Sequence, residues 1–167
     1  MSRSPSDAPE GQALYEDDFH AWTNRQATLI REGRIDELDL DHLADELDDL
    51  SKGICHRLVD ELTVLFDHLL KWDHAPEQRT RNWEAATREQ RKRIASLLEK
   101  NPSLEAKLAE AMLEGYDYGR DRASGETGMS VKSFPETSAH GWTDLMEREL
   151  HFDDPESSHT NTPGPTV

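Results

Sequence analysis

An imidazole, a primary amine and a carboxylate gathered in one pocket can move protons or hold a metal ion. In this chain the residues best placed to do so are His68, Lys71 and a glutamate such as Glu126. His68 flanks a hydrophobic stripe, where an imidazole can be held at a shifted pKa or turned toward a metal. Its plainer fate is that of a hydrogen-bonded core histidine. Lys71 either joins it in an aromatic-lined pocket with Trp72 and Trp83, or extends from a bundle edge into water. At three and four positions from His68 lie Val64, Leu65, Lys71 and Trp72, so its own helix offers no acid there and any carboxylate must come from another helix.

Other constellations are weaker. Di-iron bundles want Glu-x-x-His on two helices with two further glutamates, and none of the helices predicted below carries that motif. The nearest pieces are Asp17-x-x-His20 and His42-x-x-Asp45, with Glu46 four residues after His42. Zinc-type cysteine and histidine spacings are missing, so no metal and no cofactor is called for. Cys55 and His56 are neighbours and point about 100° apart on a helix, which excludes a dyad between them. Glu46 shares a face with His68 but lies roughly 33 Å along the axis, so the two could meet only across an antiparallel dimer.

Positioning these residues falls to one long helix. Leu40, Leu43, Leu47, Leu50, Ile54, Leu58, Leu62, Leu65, Leu69 and Trp72 recur at helical spacing, which predicts an amphipathic helix over about 39–72. Its first half is a narrow seam under acids, fit for a solvated or partner-facing surface, and its second half, with Val59, Phe66 and Leu70 beside the stripe, should form the core that other helices cover. Tyr15, Phe19, Trp22, Gln26 and Leu29 predict a first helix, ended at Gly33. A third helix is expected over about 80–99. A fourth follows with Ser103 as its N-cap, and a short one over about 143–150. Trp22, Trp72, Trp83 and Trp142 read as bundle anchors. The expected fold is all-α: about four main helices plus a short C-terminal one, in a single domain over 13–152. Residues 1–12 and 153–167, rich in Pro, Ser, Gly and Thr, read as disordered tails.

Charge sets the class of partner. Asp and Glu outnumber Lys and Arg by 35 to 19, a net −16, which disfavours nucleic acid and anionic membranes. Asp39, Asp41, Asp45, Glu46, Asp48 and Asp49 crowd the start of the long helix with no cation among them, and Asp45, Glu46 and Asp49 mark a candidate acidic surface. Arg79, Arg81, Arg88, Arg91, Lys92 and Arg93 crowd the third helix; this run reads as a face neutralised by the acidic helix, or as an anion contact. No stretch approaches the ~20 apolar residues of a membrane span. With one cysteine, a reducing compartment fits, and cytoplasm is the simplest address.

Tyr15-Glu16-Asp17-Asp18-Phe19 with Trp22, Leu43-Ala44-Asp45-Glu46, His68-Leu69-Leu70-Lys71-Trp72, Asn101-Pro102-Ser103-Leu104, Glu126-Thr127-Gly128 and Phe134-Pro135 together resemble a bacterial family catalogued as domain of unknown function 29, over about Tyr15 to Phe152. The chain has Asn82 where the family has Ser before the tryptophan, and Ser138-Ala139 where it has Cys-Pro, which removes any role for a loop cysteine. The resemblance implies a small helical bundle and no particular activity. The reading that follows is a non-catalytic acidic binding or adaptor protein for a protein partner, or a homodimer. The alternative is a small enzyme or ligand-binding protein with an inter-helix pocket at His68, Lys71 and a carboxylate.

Overall fold

The computed structural model describes residues 10–152. Expectations for 1–9 and for 153–167 lie outside the described residues, whereas 10–12, expected in the N-terminal tail, open a helix. Six α-helices follow in order: α1 (Glu10–Asp17), α2 (Phe19–Glu32), α3 (Leu40–His74), α4 (Arg81–Lys100), α5 (Leu108–Thr127) and α6 (Trp142–Glu147), with no strand among the described residues. The chain divides into two compact units, one up to Gly53 and one from Ile54 onward. Helix α3 runs through the division.

In the first unit the single expected helix is two. Asp18 leaves helical geometry, with φ −150° and ψ 83°, and its side chain accepts from Ala21 N at 2.9 Å, the capping bond that starts α2. At the other end Gly33 adopts φ 71°; its N–H reaches Ile30 O and that of Arg34 reaches Leu29 O, a left-handed cap that glycine accepts without a Cβ penalty. Asp39 sits at the start of α3, its carbonyl accepting from Leu43 N at 3.0 Å.

In the second unit α3 is central. Leu58, Leu62, Leu65, Phe66 and Leu69 are buried among Ile94 and Leu97 of α4, Ala111, Tyr116 and Ala123 of α5, Phe134, and Leu145 and Leu150 of the last segment. Full burial of such side chains is worth about 1.5–3 kcal/mol each. Helix α5 approaches α3 through a line of small residues, Ala111, Gly115, Gly119 and Ala123, all buried. A Cβ on Gly115 would lie 2.9 Å from Leu62 Cβ, and one on Gly119 2.8 Å from Phe66 Cβ, so these glycines set the separation of the helices.

Cover stops short of the first half of the α3 stripe, as the acids there suggest: Leu40, Leu47 and Leu50 are 60, 66 and 63% exposed. The reason is local, because α1 and α2 meet the start of α3 through Trp22 on Asp39, Tyr15 OH on Glu46 and the Tyr15 ring on His42, a face beside the leucine line. Against expectation, Ser103 does not cap the fourth long helix. Pro102–Lys107 forms a 3-10 segment, with Leu104 N on Asn101 O at 3.0 Å, and α5 begins only at Leu108.

Candidate functional site

Lys71 is 1% exposed, and everything around it follows from where its ammonium goes. Nζ donates to Asp67 Oδ2 at 2.7 Å, one turn back on α3, and to Glu126 Oε2 on α5. It also lies 5.2 Å above the ring of Trp83 on α4. Arg122 closes the group: its Nε donates to Glu126 Oε1 at 2.9 Å and stands 3.4 Å from Asp67 Oδ2. Three helices therefore meet at one buried ammonium. Breaking such a buried pair by removing one partner costs about 3–5 kcal/mol, although the intact pair adds little net stability.

The electrostatics divide the acids. Burial pushes Asp67 up, and the bond from Lys71 offsets this only in part. For Glu126 burial acts in the same sense, but the bonds from Lys71 and Arg122 outweigh it and the carboxyl stays below its ordinary value. His68 lies beside this group, with Nδ1 3.8 Å from Asp67 Oδ2, too far for a hydrogen bond. Burial, then the positive charges of Lys71 and Arg122, push the imidazole down to about 4. His68 Nδ1 and Asp67 Oδ1 are buried with no hydrogen-bond partner among the described residues.

His68, Lys71, Trp83 and Glu126 are thus brought together, as the sequence suggested for a pocket. Trp72 takes a different partner, the guanidinium of Arg79 5.0 Å over its ring, with Arg79 Nε on its carbonyl at 2.8 Å. Asp67 and Arg122 were missed. Their signal was the spacing itself, since Asp67 with Lys71 and Arg122 with Glu126 are both i,i+4 pairs.

A second polar group fastens the last segment to the end of α3. His140 Nε2 is 3.1 Å from Asp73 Oδ2, its Nδ1 bonds Asp144, and Arg148 grips both oxygens of Asp73. The bond to Asp73 raises the His140 pKa despite burial. Burial works against Asp73 ionising, but His140 and Arg148 hold its carboxyl well below the usual range. Arg91 of α4 adds two bonds, to Leu145 O at 2.8 Å and Arg148 O at 2.6 Å.

The expected acidic surface is split. Asp45 and Asp49 are exposed, and Asp49 pairs with Lys52 at 2.7 Å. Glu46 instead accepts from Tyr15 OH at 2.7 Å, which pushes the phenol up to about 12. Tyr15 also stacks on His42 at 3.9 Å, so one tyrosine contacts both His42 and Glu46, and His42 bonds Asp39 at 2.7 Å. The basic run of α4 is also divided: Arg91 holds the carbonyls above, while Arg88 and Arg93 face Glu84 and Glu89 of their own helix. Among the described residues no three His, Cys, Asp or Glu side chains converge as a metal site would need.

The family model described as Domain of unknown function DUF29 matches residues 14–151 of the 167. The chain belongs to that family. No curated protein and no solved structure matches it. In this DUF29 chain the match takes in both units, the Lys71 cluster and the exposed leucine line alike. No helix among the described residues is long and apolar enough to cross a membrane.

Proposed function

We propose that this DUF29 chain is a binding module for a protein partner, and that its docking face is the leucine line at the start of α3. The observation that carries the reading is exposure: Leu40, Leu47 and Leu50 recur on one face and each is at least 60% exposed. Aligned exposed leucines mark interaction surfaces, whereas single ones do not. Asp41 follows Leu40 and Asp48 follows Leu47, each about 100° round the helix, so the line is bordered by acids. Such a face suits an amphipathic helix bearing cations. A cytoplasmic address belongs to the same reading, supported by the single cysteine.

The second reading, a ligand or catalytic site at His68, draws support from the two buried atoms without partners. Against it, Lys71 is sealed and already holds two carboxylates. The test is titration of a synthetic leucine and lysine amphipathic peptide into the protein, followed by amide NMR. Shifts confined to residues 40–54, and lost in Leu47→Glu/Leu50→Glu, support docking there. Shifts elsewhere, or equal binding by that variant, overturn it.

A further inference from the structure

We infer that the partner for the leucine line is a second copy of this chain, whose cation-lined groove on the second unit receives it. This rests on the binding reading above and names its occupant. The groove has a volume of about 500 Å³ and is lined by Ile54 and Leu97 together with Arg57, Lys92, Arg93 and Lys100, and by one acid, Glu89, which pairs with Arg93. Its chemistry is the complement of the leucine line. Apolar side chains lie at the centre and cations at the rim, where the leucine line has apolar side chains at the centre and acids at the rim.

Charge makes the match specific. The chain carries a net −16, yet this groove holds four cations to one acid. The helix that would enter it holds six acids between residues 39 and 50 and no Lys or Arg. Two leucine lines facing each other would set acid against acid, whereas line against groove sets acid against cation. Reciprocal docking closes the assembly at two copies and uses each surface twice, which doubles the area of a contact that one short helix face supplies alone.

The experiment exchanges the charges. One variant, Asp41→Lys/Asp48→Lys, puts cations where acids border the leucine line; the other, Lys92→Glu/Arg93→Glu, puts acids on the rim of the groove. All four residues are exposed, and circular dichroism checks that each variant keeps its helix content. In analytical ultracentrifugation the unaltered chain is expected to be a dimer, each variant alone a monomer, and the equimolar mixture a dimer again. A monomeric unaltered chain, or dimers in which each variant alone persists, overturns the inference. So does a mixture that stays monomeric. If the monomer still binds the leucine and lysine peptide through residues 40–54, self-association has failed while the binding reading stands.

Discussion

His68 and His140 both lie close to carboxylates, yet burial beside Lys71 and Arg122 pushes His68 down to about 4, whereas Asp73 and Asp144 hold His140 above its ordinary value. Their contributions to stability therefore run in opposite directions with pH. For His68 the unfolded chain takes up its proton near pH 6.5 while the folded chain resists until about 4, so stability falls as the solution is acidified between those values. His140 contributes fully below about pH 6.5, and that contribution is lost as pH rises through its folded value. Urea unfolding of His68→Gln and His140→Gln from pH 4.5 to 9 checks the signs. His68→Gln should lose less stability on acidification than the unaltered chain, and the deficit of His140→Gln should be larger at pH 5.5 than at pH 9. Parallel curves for all three proteins would refute the assignment. The sequence points to His68 as an imidazole open to a shifted pKa beside Lys71, but not to the charge of Arg122 against it or to the grip of Asp73 on His140.

At the scale of elements, glycine has two opposite uses. Gly53 in α3 and Gly119 in α5 both sit inside helices, where Ala is favoured by about 1 kcal/mol. A Cβ at Gly53 meets nothing within 4 Å, so Gly53→Ala should raise stability by about 0.5–1 kcal/mol. At Gly119 the added carbon would stand 3.1 Å from Thr63 O and 3.2 Å from Asp67 N, both backbone atoms that cannot swing aside. Overpacking of that kind costs about 1–3 kcal/mol, so Gly119→Ala should be net destabilising by up to about 2 kcal/mol despite its better propensity. Denaturant midpoints decide, and a stabilised Gly119→Ala would show that the helices part freely. The same contrast explains how far the elements could be read. Helix α3 was visible within two residues of its ends, because a stripe of ten apolar residues and His74-Ala75-Pro76 are local signals. The break at Asp18 rests on one capping bond to Ala21 N and the 3-10 turn after Asn101 on one backbone bond from Leu104 N, neither of which disturbs the apolar spacing. The close crossing of α3 and α5 is a property of two segments more than forty residues apart.

Taken whole, the molecule runs one helix through two environments. Between Leu58 and Trp72 helix α3 is enclosed, while between Leu40 and Leu50 three of the four leucines of its apolar face, all but the half-buried Leu43, are open to solvent. Continuous hydrogen bonding does not equalise the two, because protection follows the burial around each turn. Amide hydrogen exchange should therefore be at least ~100-fold faster over residues 44–52 than over 60–72, a gap of about 2.7 kcal/mol in opening free energy. Uniform protection along α3 would count against a division of the chain near Gly53. The division is legible in the sequence from the acids that crowd the first half and the wider apolar arc of the second, although periodicity by itself reports only which side chains share a face. The fastening of the last segment by Asp73 and Arg91 has a consequence for synthesis. Leu145 and Leu150 belong to the core of the second unit, so on the ribosome that core stays open until residue 150 has emerged. The first unit, complete at Gly53, waits about 5–20 s for it at ordinary elongation rates.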